Sequence, residues 1–242
     1  MTKVPAVTLA FWIVKIFATT LGETGGDAVT MSMGLGYLVG TGLFALLFAL
    51  AVAAQMRARS YHPALYWFTI IATTTVGTTL ADYVDRSLGI GYTGGSALLL
   101  ALLVASLVTW RLWLGTVSVS SVATPAAEAC YWVTILCSQT LGTALGDWTA
   151  DTQGVGYSGG ALIFGGLLLL VVLAWRFTRA SRTVLFWLAF VLTRPLGAVL
   201  GDLLDKPVAQ GGLALSRYSA SAALLAAMLL LLWWFPGRAN RA

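Results

Sequence analysis

Apolar stretches of about 20 residues, the length of helix that crosses a bilayer core, alternate along the chain with short polar segments. Eight are legible, at 4–26, 34–55, 64–84, 91–110, 126–148, 157–175, 183–204 and 213–235. The first, third, fifth and seventh close on a recurring polar segment: "TTLGETGGD" (19–27), "TTVGTTLAD" (74–82), "QTLGTALGD" (139–147) and "RPLGAVLGD" (194–202). Runs this long and continuous predict helices and exclude the alternating pattern of a membrane barrel, the other structure that satisfies every backbone polar group in lipid.

Alignment on Trp12, Trp67, Trp132 and Trp187 places a glycine ten residues later (Gly22, Gly77, Gly142, Gly197) and an aspartate fifteen later (Asp27, Asp82, Asp147, Asp202), without a gap. A second signature follows as "GLGY" (34–37), "GIGY" (89–92) and "GVGY" (154–157), degraded to "QGGL" (210–213) in the fourth unit. Each unit therefore holds two spans, and an even number of spans makes all four units point the same way, related by axes along the membrane normal. The wider gap between the second and third units falls at the Ser/Thr-rich "TVSVSSVATP". The predicted fold is an all-α integral membrane protein with eight transmembrane helices. They form four parallel two-helix repeats in two tandem halves, 1–115 and 126–242, joined by a linker at 116–125 into one membrane domain.

Composition agrees: 59% of the 242 residues are hydrophobic and 10% charged, so the expected surroundings are a lipid bilayer. Lys3, Arg57, Arg59, Arg111, Arg176, Arg179, Arg182, Arg238 and Arg241 all lie at the N-terminus or after an even-numbered span. That excess marks the cytoplasmic side and predicts a multi-pass protein of a bacterial inner membrane with both termini cytoplasmic. Apart from Glu128, the acids lie near the opposite helix ends. The net charge of +5 reflects this bias and does not point to nucleic acid. The first span follows Lys3 without a cleavage site and is expected to be retained.

Positions 8, 11 and 15 after each tryptophan share a helix face. They hold Thr20, Glu23 and Asp27; Thr75, Thr78 and Asp82; Thr140, Thr143 and Asp147; and Pro195, Ala198 and Asp202. Oxygen-only donors suit a hard divalent cation such as Mg²⁺, Ca²⁺ or Mn²⁺. The candidate metal site is thus Glu23, Asp27, Asp82, Asp147 and Asp202 with Thr20, Thr75 and Thr140, and Asp202, lacking same-face threonines, is expected to contribute least. Beyond a bound or transported cation no cofactor is expected. Lys15 and Arg194 break the symmetry and are candidate counter-charges: Lys15 either snorkels to the interface or turns inward, and Arg194 pairs with Glu23, the acid that has no counterpart in another repeat. The function expected is a small cation transporter, proton-coupled or moving a divalent metal; the alternative is a non-transporting scaffold whose Thr/Gly faces hold helices together. No nucleophile and base stand at usable spacing, so catalysis is not expected. Tyr37, Tyr92 and Tyr157 are assigned to the aromatic belt, and Cys130, Cys137 and His62 receive no chemical role.

The Thr-x-Gly-x-x-x-x-Asp segments along the whole chain resemble a family of uncharacterised bacterial inner-membrane, "membrane-anchored" proteins, a resemblance that implies a fold and no activity. "ETGGD" (23–27) is similar to the Glu-x-Gly-Asp motif of manganese and calcium transporters, with an added glycine and "AV" following. That likeness implies carboxylate chemistry toward hard cations.

Overall fold

The computed structural model describes residues 2–235; Arg238 and Arg241, counted above for orientation, lie outside them. The described residues contain eight α-helices and no strand: α1 (Leu9–Asp27), α2 (Gly36–Arg57), α3 (Pro63–Asp82), α4 (Gly91–Leu114), α5 (Pro125–Asp147), α6 (Gly156–Phe177), α7 (Arg182–Asp205) and α8 (Arg217–Trp234). Local chemistry sets the starts. The Thr8 and Thr124 hydroxyls accept from the Phe11 and Ala127 amides, and Pro63 and Pro125 occupy first turns, where a missing N–H costs nothing. Six helices, α2, α3, α4, α6, α7 and α8, are long and apolar enough to cross a membrane.

Helices α1, α3, α5 and α7 form an inner ring in which each touches the next and α7 closes on α1. The outer helices follow a cyclic rule: α2 packs on α3, α4 on α5, α6 on α7 and α8 on α1. Each repeat thus lends its outer helix to the inner helix of the following repeat. The outer helices turn large apolar side chains outward, including Leu46, Leu100, Leu162, Leu170 and Leu230. So much exposed aliphatic surface is costly in water and suits lipid, the mark of a multi-pass membrane protein.

Glycine lets the inner helices meet closely. An added Cβ at Gly22 would fall 2.1 Å from Thr74 Oγ1, at Gly142 2.2 Å from Arg194 Cγ, and at Gly197 2.2 Å from Thr19 Oγ1. At Gly77 it would fall 3.0 Å from the Gln139 backbone. In every joint, position 10 of one repeat receives position 7 of the next. Four residues on, Gly26, Ala81, Gly146 and Gly201 complete a small-xxx-small pattern, the packing device of membrane helices. The reward includes hydrogen bonds between helices, such as Thr74 Oγ1 to Ala18 O (3.3 Å) and Thr19 Oγ1 to Thr193 O (3.2 Å).

One end of the ring is filled by aromatic rings. The residue before each repeat tryptophan packs on the tryptophan of the next repeat: Phe11 on Trp67, Tyr66 on Trp132, Tyr131 on Trp187 and Phe186 on Trp12, with centroids 5.5, 5.8, 6.4 and 5.6 Å apart. The Tyr66 and Tyr131 hydroxyls share a buried hydrogen bond of 2.6 Å. At the opposite end α1, α3 and α5 each open into a wide turn whose last amide bonds five residues back, as in Met33 N–H to Ala28 O. Each then passes through Gly-x-Gly with both glycines at positive φ, as at Gly34 (70°) and Gly36 (72°). Only glycine adopts that conformation without strain, which accounts for the second sequence signature. The fourth unit replaces it with a short 3₁₀ turn, Val208–Gln210.

Candidate functional site

The four repeat aspartates close the inner helices: Asp27, Asp82 and Asp147 are the last residues of α1, α3 and α5, and Asp202 lies in the last turn of α7. A helix C-terminus is the negative end of its dipole, so carboxylates there add to the demand for positive charge. All four are buried, with Glu23 one turn deeper. One carboxylate oxygen from each of Glu23, Asp147 and Asp202 lies within 4.8 Å of the other two, and the same holds for Asp27, Asp202 and Asp205. Asp202 belongs to both clusters, although it lacks the same-face threonines of the other three.

Arg194 occupies the middle of the ring. Fully buried, its Nη2 donates to Glu23 Oε2 at 2.9 Å and to the hydroxyls of Thr78 and Thr143. These three acceptors are position 11 of the first, second and third repeats, so one guanidinium ties the fourth inner helix to all the others. Its Cβ and Cγ rest against Gly142, where an added Cβ would press on them. Pro195 sits inside α7 without ending it.

Lys15 does not snorkel. It is fully buried, and its ammonium donates to Phe190 O at 3.1 Å and to Thr193 Oγ1 while lying 3.9 Å from the Phe190 ring centroid. The side chain crosses directly to α7, which offers acceptors nearer than the interface. Thr20, Thr75 and Thr140 each donate the hydroxyl proton to their own helix, to Ile16 O, Ile71 O and Leu136 O at 2.9, 2.8 and 2.9 Å, which leaves the oxygen lone pairs available as acceptors. A buried helical hydroxyl commonly satisfies its proton on the carbonyl four residues back. Cross-helix polar contacts come from position 7, through Thr19 and Thr74, and from position 11, through Glu23, Thr78 and Thr143.

The sequence reading overlooked three bases. Arg86 Nε lies 3.1 Å from Asp82 Oδ1 and its Nη2 3.1 Å from Asp147 Oδ2. Lys206 Nζ lies 3.0 Å from Asp202 Oδ1 and 2.9 Å from Asp27 Oδ2. Arg217 Nε lies 2.8 Å from Asp205 Oδ2, and its Nη2 3.6 Å from Asp27 Oδ2. The signal was present in Asp-x-x-x-Arg (82–86) and Asp-x-x-x-Lys (202–206), pairs spaced one helical turn apart. Burial by itself lowers the Lys206 pKa, but the carboxylates of Asp202 and Asp27 outweigh it and hold the ammonium above its ordinary value. The tyrosines assigned to the belt also belong here: Arg86 donates to Tyr37 Oη (3.1 Å) and Tyr92 Oη (3.2 Å), and Tyr92 and Tyr157 donate to Asp151.

Four successive family matches cover 10–61, 65–113, 130–181 and 185–239, one inner and one outer helix apiece. The chain belongs to the family described as Repeat of Unknown Function (DUF347). Those four DUF347 units coincide with the tryptophan-to-aspartate repeats and with the cyclic packing around the ring. No curated protein and no solved structure matches the chain.

Proposed function

We propose that this DUF347 protein is a small secondary transporter for a hard cation, divalent or proton-coupled, that binds at the acidic end of the inner ring. The observation that carries the reading is the approach of Glu23, Asp147 and Asp202 oxygens to within 4.8 Å. At an effective dielectric constant near 20, two like charges at that distance repel by about 3–4 kcal/mol, and three make three such pairs. Eight carboxylates lie at this end (Glu23, Asp27, Asp82, Asp85, Asp147, Asp151, Asp202, Asp205) against four bases (Arg86, Arg194, Lys206, Arg217). Four negative charges are left over, and protons or divalent cations would balance them. Donors that are all oxygen favour Mg²⁺, Ca²⁺ or Mn²⁺. In this reading all eight helices span a bacterial inner membrane, with the aromatic end cytoplasmic because Arg57, Arg111 and Arg176 close the outer helices there.

The packed aromatic end favours a second reading, a static membrane scaffold in which the charges only clasp helices. Thermal unfolding of the purified protein across metals and pH separates the two, since a cation that binds the folded state raises its stability. A rise with Mn²⁺, Mg²⁺ or Ca²⁺ that disappears in Asp147→Asn/Asp202→Asn, followed by uptake into proteoliposomes, is expected. Midpoints indifferent to every metal would leave the scaffold.

A further inference from the structure

Arg86 and Lys206 stand at the same register, nineteen residues after the tryptophans of the second and fourth repeats, where the first and third carry Met31 and Asp151. Each reaches back one turn to the aspartate of its own repeat and across to the aspartate of the next, so the four repeat aspartates are divided into two dicarboxylate seats related by a twofold axis. The bases enter from the rim, Arg86 from the wide turn after α3 and Lys206 from the residue after α7. Their side chains are 30% and 12% exposed, against 2–5% for the aspartates they bridge. Neither needs a helix to unwind in order to leave. Both seats keep spare capacity at equivalent places: Asp27 Oδ1 and Asp147 Oδ1, on residues more than nine-tenths buried, have no hydrogen-bond partner. The seats differ in kind. The Arg86 guanidinium lies between the Tyr37 and Tyr92 rings, 6.0 and 5.9 Å from their centroids, a setting matched to a flat delocalised cation. Lys206 presents a compact ammonium to two carboxylates.

We infer that Arg86 and Lys206 are tethered occupants of two cation seats, and that an external cation enters each seat by displacing them. This rests on the carboxylate ring being a cation site and adds what holds it closed. A side chain anchored at the rim competes at an effective concentration in the millimolar range, so each seat resists any cation present at lower level. The seat of Arg86 favours guanidinium-type cations, and that of Lys206 favours primary ammonium or a small metal ion.

The test uses the full chain in detergent as wild type, Arg86→Gln, Lys206→Gln and the charge-preserving Arg86→Lys. Thermal unfolding is followed against Mn²⁺ and, separately, against low millimolar methylguanidinium or methylammonium. Each Gln variant is expected to respond to Mn²⁺ at concentrations at least about tenfold below wild type, with the competitor gone, while Arg86→Lys follows wild type. Methylguanidinium is expected to restore the midpoint of Arg86→Gln and methylammonium that of Lys206→Gln, with neither stabilising the wild type. Either response supports the inference, including a Gln variant that folds only when its organic cation is supplied. Equal Mn²⁺ response in all four chains together with no restoration overturns it. Chains that ignore Mn²⁺ while the organic cations still restore the variants would uphold the seats and remove the hard-cation reading.

Discussion

The two ends of the inner ring obey the same cyclic arrangement and solve opposite problems. At the aromatic end, Phe11, Tyr66, Tyr131 and Phe186 hand over to tryptophans of the next repeat, and the Tyr66 and Tyr131 hydroxyls satisfy each other. At the acidic end the same helices present carboxylates whose charge the chain's own bases only partly balance. Apolar packing is non-directional and complete in itself, whereas buried charge has to be matched by partners. The same ring of helices thus carries clustered charge at one end and close aromatic packing at the other.

The comparison breaks most severely at the pair that joins the repeats. Removing one partner of a buried ion pair costs about 3–5 kcal/mol, and removing both costs far less. Glu23→Gln and Arg194→Gln are each expected to destabilise in that range, with the double variant recovering much of the loss; additive losses in denaturant unfolding would show that the two are energetically separate. Next comes Gly142→Ala, whose Cβ would press 2.2 Å from Arg194 Cγ. Overpacking of this kind costs about 1–3 kcal/mol. The control is Gly165→Ala, where an added Cβ meets nothing within 4 Å and no loss is expected. The smallest effect belongs to the aromatic end: Tyr131→Phe leaves the Tyr66 hydroxyl without its 2.6 Å partner, for a loss of about 1 kcal/mol. Its response to Mn²⁺ should equal that of the wild type. A changed metal response in Tyr131→Phe would mean that the ends are coupled and the division drawn above is false.

Most of the scaffold was legible because long apolar helices leave a coarse imprint: apolar length, two helices per repeat, and a gapless Trp, Gly, Asp register. Glu23 and Arg194 pointed to each other because each lacked a counterpart in the other repeats. What stayed hidden depended on where side chains turn. Nothing in the residue types shows that Thr20, Thr75 and Thr140 spend their protons on their own helices while Thr78 and Thr143 face Arg194. Arg86 and Lys206 escape a sequence reading because the helix pattern stops at the aspartate, while the backbone continues through a wide turn or one further turn that carries the base back over it. The cyclic loan of outer helices was equally unreadable, since a run of leucines names no neighbour.

That loan has a bearing on how the ring is held shut. Three of its four joints are bridged by covalent segments of chain, and the fourth, between α7–α8 and α1, is a seam that no peptide bond closes. Arg86 apart, which bridges the second and third repeats, the charged residues that depart from fourfold repetition gather there: Lys15 on Phe190 and Thr193, Glu23 on Arg194, and Lys206 and Arg217 on Asp27, with Ser221 on Thr24 beside them. A connecting segment lowers the entropy of bringing two elements together; at the seam that saving is missing, and ionic contacts stand in its place. Divergence of the repeats, seen this way, is the sewing of a duplicated strip into a closed hoop.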